Sequence, residues 1–294
     1  MASDDGLLRE MAWNGIRFRC PKGWEVGELG VRYMLLEDAI GPVFEIKWEP
    51  SVRKNSHEKA FKRLLRSRDA SPMSVLPPEW EAALKPFETR GFSWQSGENA
   101  GRGATLRCRG CGGVLLFQFH RVRAGCRVHG GIEAGLLSTL SDHAEGGDRL
   151  WAVYDIRARL PEKFALLAHR FSPGRFALDF SDGQARLSLY RWSPASIWLS
   201  DRDLACFAAL VFGDGTLGAQ SFELKPVAGV VALAWRGKGR GFRAWFRKFL
   251  GGGPCERHIR IWRLTERNRI FGICMEGRVD AVLLERICAD YEGL

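Results

Sequence analysis

The sequence lacks the long apolar runs that would make it a membrane-spanning or secreted protein. Among its 294 residues, no uninterrupted apolar run approaches the ~18–20 residues that a membrane-spanning helix needs. Residues 1–10 carry three acidic side chains and have no basic region followed by an apolar core, so they do not predict a secretory signal. These absences predict a cytoplasmic protein without a transmembrane segment.

The sequence also lacks the short motifs of the common enzyme classes. It contains no phosphate-binding loop, no Gly-x-Ser-x-Gly, no His-Glu-x-x-His and no dinucleotide-binding fingerprint. The six histidines are scattered. His57 and His143 lie near the ends of predicted helices, where solvated side chains are expected. We therefore expect a non-enzymatic protein with no catalytic residues and no cofactor.

Acidic residues are outnumbered by basic ones. The chain has 44 Lys and Arg against 34 Asp and Glu, which gives a net charge of +10. An apolar fraction of 46% and a charged fraction of 27% are typical of a soluble globular protein. The charge excess favours an anionic partner, provided that the basic residues cluster.

The chain repeats itself at long range. Lys47-Trp48-Glu49-Pro50 and Arg191-Trp192-Ser193-Pro194 each end a stretch of alternating polar and apolar residues. The same order recurs in three further pairs, which are Leu84-Lys85-Pro86 with Leu224-Lys225-Pro226, Trp94 with Trp235, and Ile132 with Val279. A repeat of this length predicts an internal duplication, with one domain at 1–150 and a similar one at 151–294.

Each half has the pattern strands, helix, strands, helix. Predicted helices lie near 58–68, 132–143, 201–211 and 279–287, and Ser200 is the expected N-cap of the third. Residues 265–268 predict a hairpin turn, and 151–159 predict one extra strand. Because the connections between neighbouring strands are short, we expect α+β domains, each a mostly antiparallel sheet with helices packed on it.

A first strand leading into the turn Pro21-Lys22-Gly23-Trp24, then a mid-domain helix, a hairpin and a closing helix, resembles the PsbP/Mog-type α/β/α domain. The resemblance covers both halves and rests on the order of elements. It implies an accessory or binding module. It assigns no functional residues, because no family motif matches here.

The cysteines offer one candidate metal site. Cys108, Cys111, Cys126 and His129 are spaced as Cys-x2-Cys-x14-Cys-x2-His, which is close to the spacing of a zinc ribbon. However, 114–123 alternates without a turn residue. As one strand, ten residues span roughly 33 Å, which would hold the two pairs apart. Reduced thiols in a cytoplasmic protein are the alternative to a structural zinc site.

A basic aromatic insertion distinguishes the second half. Residues 236–253 contain six basic residues and no acidic one, and the first half has no equivalent. The aromatic residues recur at helical spacing, with basic residues off their face. The candidate binding residues are Arg236, Lys238, Arg240, Phe242, Arg243, Trp245, Phe246, Arg247, Lys248 and Phe249.

Three interpretations of the insertion remain open. Its aromatic face could pack within the protein, it could bind a protein partner or an anionic membrane surface, or it could bind nucleic acid. Aromatic side chains gathered on one face suit lipid or a protein groove better than base stacking. We therefore expect a binding protein of the cytoplasm, peripheral to the inner face of the membrane if its partner is lipid, with nucleic acid as the alternative.

Overall fold

The computed structural model describes residues 8–50, 62, 70–122, 130–143, 146–213, 217–227, 229–238 and 255–291. The chain divides into two compact units, Met1–Asp155 and Ile156–Leu294. The division falls near the boundary at 150 that the sequence predicts. Every strand pair with an assigned register in either unit is antiparallel, so the expectation of a sheet-rich, mostly antiparallel fold is confirmed.

The first unit contains ten described strands and two described helices. The strands are β1 Leu8–Trp13, β2 Ile16–Pro21, β3 Glu25–Gly30, β4 Tyr33–Glu37, β5 Pro42–Glu49, β6 Ala70–Pro72, β7 Phe87–Ser96, β8 Asn99–Cys108, β9 Val114–Val122 and β10 Asp148–Val153. The helices are α1 Pro78–Ala83 and α2 Gly130–Ser138. Seven strands form one sheet in the order β3-β4-β5-β9-β8-β7-β6, and β1 pairs with both β2 and β10.

The core of the first unit is aromatic. Phe44, Phe117 and Phe119 come from adjacent strands β5 and β9, and the ring of Trp80 on α1 lies 5.3 Å from that of Phe117. Burial of each such side chain stabilises the unit by about 1.5–3 kcal/mol. Nε1 of Trp80 donates to the buried carboxylate of Glu133 on α2 at 3.1 Å, so the polar edge of the indole is satisfied within this core.

The second unit contains eight described strands and three described α-helices. The strands are β11 Ile156–Pro161, β12 Ala165–Ser172, β13 Arg175–Ser181, β14 Ala185–Trp192, β15 Glu223–Val227, β16 Val230–Lys238, β17 Glu256–Leu264 and β18 Arg269–Gly277. The helices are α3 Ala195–Leu199, α4 Leu204–Phe212 and α5 Ala281–Asp290. Its large sheet has the order β12-β13-β14-β18-β17-β16-β15. When the strands of each sheet are numbered from its own first strand, the two sheets have the same strand order.

Trp192 lies at the centre of the second core. Its ring is 1% exposed and meets the rings of Phe207 and Phe212 of α4 edge-on, 5.3 and 6.0 Å away. Trp48, its counterpart in the repeated sequence, is also buried, and its Nε1 donates to the carbonyl of Asn14. Both tryptophans of the repeated motif are therefore core residues.

Three predicted elements differ from the structure. Residues 151–159 were expected to form one strand, but they belong to β10 and β11, because Tyr154 adopts a left-handed φ of 52° and turns the chain. The helix expected at 132–143 ends at Ser138, because Ser141 pairs with Arg17 of β2 instead. The helix expected from 201 begins at Leu204, because Asp203 rather than Ser200 caps it. Of the helix expected at 58–68, the structure describes only residue 62, which is helical.

Candidate metal centre and insertion base

Cys108 and Cys111 lie in the tight turn that joins β8 to β9. Cys108 is the last residue of β8, and its backbone N–H donates to the carbonyl of Gly113 at 2.8 Å. Gly112 adopts a φ of 73°, a left-handed conformation that glycine tolerates best. The turn therefore brings two cysteines three residues apart to the end of a hairpin.

Asp142 and His143 reach this turn from the segment that follows α2. Backbone hydrogen bonds join Ser141 and Arg17 in both directions, at 2.8 and 2.9 Å, and the N–H of Arg19 donates to Oγ1 of Thr139. These bonds hold the segment against β2. Its position places the next two side chains beside the hairpin turn.

The four side chains Cys108, Cys111, Asp142 and His143, called here the Cys–His–Asp cluster, converge on one point. One ligand atom of each lies within 4.8 Å of those of the others. Nδ1 of His143 lies 3.8 Å from Sγ of Cys108 and 2.8 Å from Oδ1 of Asp142. Sγ of Cys111 donates to Oδ2 of Asp142 at 3.0 Å. Two thiols, an imidazole and a carboxylate are the ligand types that zinc takes in proteins.

The cluster is buried on one side and open on the other. Cys108 is 2% exposed and the side chain of Asp142 is 4% exposed, whereas the side chain of His143 is 52% exposed. Burial and the neighbouring carboxylate of Asp142 raise the pKa of the Cys111 thiol to about 12.

Backbone groups in the turn also point at the sulfurs. The N–H of Cys111 donates to Sγ of Cys108 at 3.5 Å, and the N–H of Gly113 donates to Sγ of Cys111 at 3.3 Å. The backbone of the turn therefore holds both sulfurs in place. An added Cβ at Gly113 would lie 2.9 Å from Oδ2 of Asp142. The turn therefore requires glycine there for the carboxylate to approach.

The arrangement is not that of a nucleophile–base–acid relay. In such a relay the thiol meets one ring nitrogen and the carboxylate meets the other. Here Cys108 and Asp142 both meet Nδ1 of His143. One ring nitrogen cannot accept a proton from the thiol while donating one to the carboxylate.

The structure keeps half of the predicted metal ligands together and adds two others. Cys108 and Cys111 lie in the cluster, whereas Cys126 and His129 lie outside the described residues. Strand β9 runs without interruption over Val114–Val122, as the sequence predicts. Asp142 and His143 were not predicted as ligands, because His143 was expected at a solvated helix end.

The basic insertion leaves the second unit between β16 and β17. These strands remain paired up to Lys238, which lies opposite Glu256. Nη2 of Arg236 lies 3.2 Å from Oε1 of Glu256, and Nε2 of His258 lies 2.9 Å from Oε2 of the same carboxylate. Arg236 and Lys238 are exposed. The other predicted binding residues, Arg240, Phe242, Arg243, Trp245, Phe246, Arg247, Lys248 and Phe249, lie outside the described residues.

The corresponding hairpin of the first unit has a minimal connection. Strands β7 and β8 pair up to Ser96 and Asn99, so only Gly97 and Glu98 join them. Gly97 has a φ of 59°, which suits a two-residue hairpin turn. In the second unit, residues 239–255 stand at this position, between strands that pair up to Lys238 and Glu256.

Within the described part of the chain, no helix has the length and apolar character needed to cross a membrane. This finding concerns helices only.

No family model and no curated protein matches the chain. A crystal structure from Bacteroides thetaiotaomicron VPI-5482 has a TM-score of 0.33 and 14% identity over 52% of this chain and 53% of that one, so the chain spans about half of its length. MucB in complex with MucA(peri) has a TM-score of 0.22 and 11% identity, over 95% of this chain and 81% of that one.

The MucA/MucB complex of Pseudomonas aeruginosa has a TM-score of 0.21 and 10% identity, over 97% of this chain and 87% of that one. These scores are too low to support an argument, so any function must be inferred from the chain's own residues.

Proposed function

We propose that this protein is a non-enzymatic accessory protein of the cytoplasm, built from two duplicated α+β domains, that docks onto an anionic surface through residues 236–253. The surface would belong to a membrane or to a partner protein. One observation carries the proposal. The same hairpin is closed by two residues in one unit and carries the basic insertion in the other.

The sheet does not require the insertion. Strands β16 and β17 keep their register up to Lys238 and Glu256, on either side of it. Arg236 and Lys238 belong to β16, so the connection that the sheet does not need is 239–255. This connection carries four basic residues and no acidic one, which is best explained by a role in binding. The identical strand order of the two large sheets supports the duplication on which this comparison rests.

The residue types of the insertion favour a surface that carries negative charge and has an apolar layer beneath it, as a membrane does. At its described base, the Arg236 side chain is 70% exposed, and Lys238 is exposed as well. In the sequence beyond, aromatic residues recur at helical spacing. A basic face with an aromatic face opposite is typical of helices that lie at a membrane interface. Nucleic acid remains the alternative, and the test below includes it.

The test compares two insertion variants with the wild type. In the first variant, Asn-Gly replaces 239–255. In the second, Arg243→Glu, Arg247→Glu and Lys248→Glu are combined. We expect binding to phosphatidylserine vesicles, measured by sedimentation, to weaken at least ~100-fold in both variants, since each basic residue near such a surface contributes about 1 kcal/mol. Vesicles of phosphatidylcholine alone should bind weakly in all cases.

A matched control removes the same charge elsewhere. Lys22→Glu, Lys85→Glu and Arg202→Glu alter three exposed basic residues and should leave binding nearly unchanged. Parallel titrations with single-stranded DNA, and crosslinking in cells from position 245, test the nucleic-acid and protein alternatives. Position 245 is present only in the wild type and the charge-reversed variant, so crosslinking compares those two. If neither insertion variant changes vesicle or DNA binding, and the charge-reversed variant crosslinks as the wild type does, the proposal is wrong.

A further inference from the structure

We propose that Cys108, Cys111, Asp142 and His143 bind one zinc ion, which fastens the β8–β9 turn to the segment that follows α2. This proposal concerns the first unit alone and does not depend on the proposed function. It differs from the ligand set that the sequence predicts, in which Cys126 and His129 complete the site.

The four ligand atoms lie within 4.8 Å of one another, so small shifts would bring them all to one tetrahedral ion. With bonds of about 2.3 Å to sulfur and about 2.0–2.2 Å to nitrogen or oxygen, tetrahedral ligands lie roughly 3.3–3.8 Å apart. The 3.8 Å between Sγ of Cys108 and Nδ1 of His143 lies at the upper end of this range. The 3.0 Å from Cys111 to Asp142 and the 2.8 Å from Asp142 to His143 are hydrogen-bond distances. The two distances involve different oxygens of Asp142, of which one would bind the ion. That oxygen would have to move about half an ångström from its hydrogen-bond partner, and ligand atoms as far apart as 4.8 Å would have to approach by about 1 Å.

The ligand types favour zinc over other common ions. Magnesium and calcium prefer oxygen ligands, of which this cluster offers one carboxylate. Two thiolates with an imidazole suit zinc, which takes four ligands in structural sites. Because all four positions would be filled by side chains, the ion would serve the fold and not catalysis.

The protons that zinc would displace at this cluster can be accounted for. Each thiol gives its proton to solvent and its sulfur binds the ion. The ring of His143 binds as the neutral tautomer that carries its proton on Nε2, which leaves the lone pair of Nδ1 for the ion, and the carboxylate of Asp142 binds through an oxygen lone pair. The cost of deprotonating two thiols is offset by the four bonds to the ion. The backbone N–H groups of Cys111 and Gly113 already point at the sulfurs and remain bonded to the thiolates.

The ion would join the β8–β9 hairpin to the segment that follows α2. Cys108 and Cys111 belong to a hairpin of the large sheet, whereas Asp142 and His143 follow a residue paired with β2. Cys111 and Asp142 are 31 positions apart along the chain. A bond between such distant positions stabilises a fold by restricting the unfolded chain.

The first test measures metal in the full-length wild-type protein after reconstitution with zinc alone. Elemental analysis should find one zinc per chain. Replacement by cobalt(II) should give the absorption spectrum of a tetrahedral site with thiolate ligands. A zinc content near zero in the reconstituted wild type would overturn the proposal without reference to any variant.

The second test identifies the ligands. His143→Asn and Asp142→Asn should each weaken zinc binding at least ~100-fold, beyond the ~10–100-fold typical of residues that only support a ligand. Cys126→Ser and His129→Asn should bind zinc as the wild type does. Cys206→Ser, at an exposed free thiol on α4, controls for the loss of a cysteine.

Circular dichroism checks that each variant is folded. If a ligand variant unfolds, hydrogen exchange on the wild type replaces it, with chelator expected to expose the amides of 109–113 and 139–143. Loss of zinc in Cys126→Ser or His129→Asn together with its retention in His143→Asn would refute the proposed ligand set. Unchanged exchange in those two segments after chelation would refute the fastening role.

Discussion

At the scale of single residues, the first unit contains a buried polar cluster in the middle of its large sheet. Glu45 on β5 is 8% exposed and lies opposite Gln118 on β9, which donates to it. Lys47 and His120 also face its carboxylate, at 3.0 and 3.4 Å.

This environment makes Glu45 a source of acid sensitivity. Burial alone would raise the pKa of Glu45, but the polar groups of His120, Lys47 and Gln118 outweigh it and lower that pKa to about 2. A carboxylate whose pKa is lowered on folding stabilises the fold above its ordinary value of 4.5. That contribution is lost as the pH falls from 4.5 towards 2.

We predict that Glu45→Gln lowers the free energy of unfolding by up to about 3 kcal/mol near neutral pH, and that the difference from wild type shrinks as the solution is acidified. Urea unfolding at about pH 6 and about pH 3 measures both values. Glu49→Gln, at an exposed position of the same strand, controls for the loss of a carboxylate. A difference that stays constant across this interval would contradict the prediction.

The position of His143 in the cluster could not be predicted from the sequence. The two cysteines were recognised as a candidate pair because a three-residue spacing is visible in the chain. The approach of Asp142 and His143 depends instead on where α2 ends and on the pairing of Ser141 with Arg17. Those contacts join positions more than a hundred residues apart, so no local pattern records them.

At the scale of elements, side chains at helix starts set the boundaries of α4 and α5. Oδ1 of Asp203 accepts from the N–H of Cys206 at 2.7 Å, and Oδ1 of Asp280 accepts from the N–H of Leu283 at 3.0 Å. Ser200, the cap expected for α4, instead ends α3, and its N–H donates to the carbonyl of Ser196. The periodicity of apolar residues located both helices, but it did not distinguish between several candidate caps in one short stretch.

We predict that Asp280→Ala destabilises the protein by about 1 kcal/mol, because the N–H of Leu283 loses its acceptor at the start of α5. Asp280→Asn keeps an acceptor oxygen and should cost much less. Urea denaturation followed by circular dichroism measures both. Equal losses for the two substitutions would assign the effect to the charge and not to the cap.

Hairpin turns were the most predictable elements. Thr265–Asn268 was predicted as the turn before β18, and Asn268 adopts a left-handed φ of 50° there. The turn at Tyr154 was missed, since tyrosine is not a residue that turns favour. Its alternating neighbours predicted a single strand, and nothing in the local pattern marked the reversal.

At the scale of the whole molecule, the two units share one strand order but differ in how their hairpins are joined. The repeated tryptophan motifs predict two similar halves, and each half contains a seven-stranded antiparallel sheet. The sequence could locate the insertion because one half served as a template for the other. It could not point to Asp142 and His143 in this way, because the corresponding turn of the second unit, Thr265–Asn268, contains no cysteine.

We predict that replacing 239–255 by Asn-Gly keeps the fold and raises the free energy of unfolding by up to about 2 kcal/mol. The expected gain comes from closing a loop of two residues instead of seventeen, since closure entropy grows with the logarithm of loop length. Chemical denaturation and thermal unfolding measure the change. A loss of stability would mean that the insertion packs against its own unit.

The pairing of Lys238 with Glu256 has a practical consequence. Because neighbouring strands of a sheet lie about 4.8 Å apart, any peptide placed between these two residues has its ends held together before it meets a target. The hairpin is thus a natural display scaffold. Foreign epitopes, affinity tags or fluorescent domains inserted after Lys238 should be presented at the end of β16 and β17 while the strands beneath them stay in register.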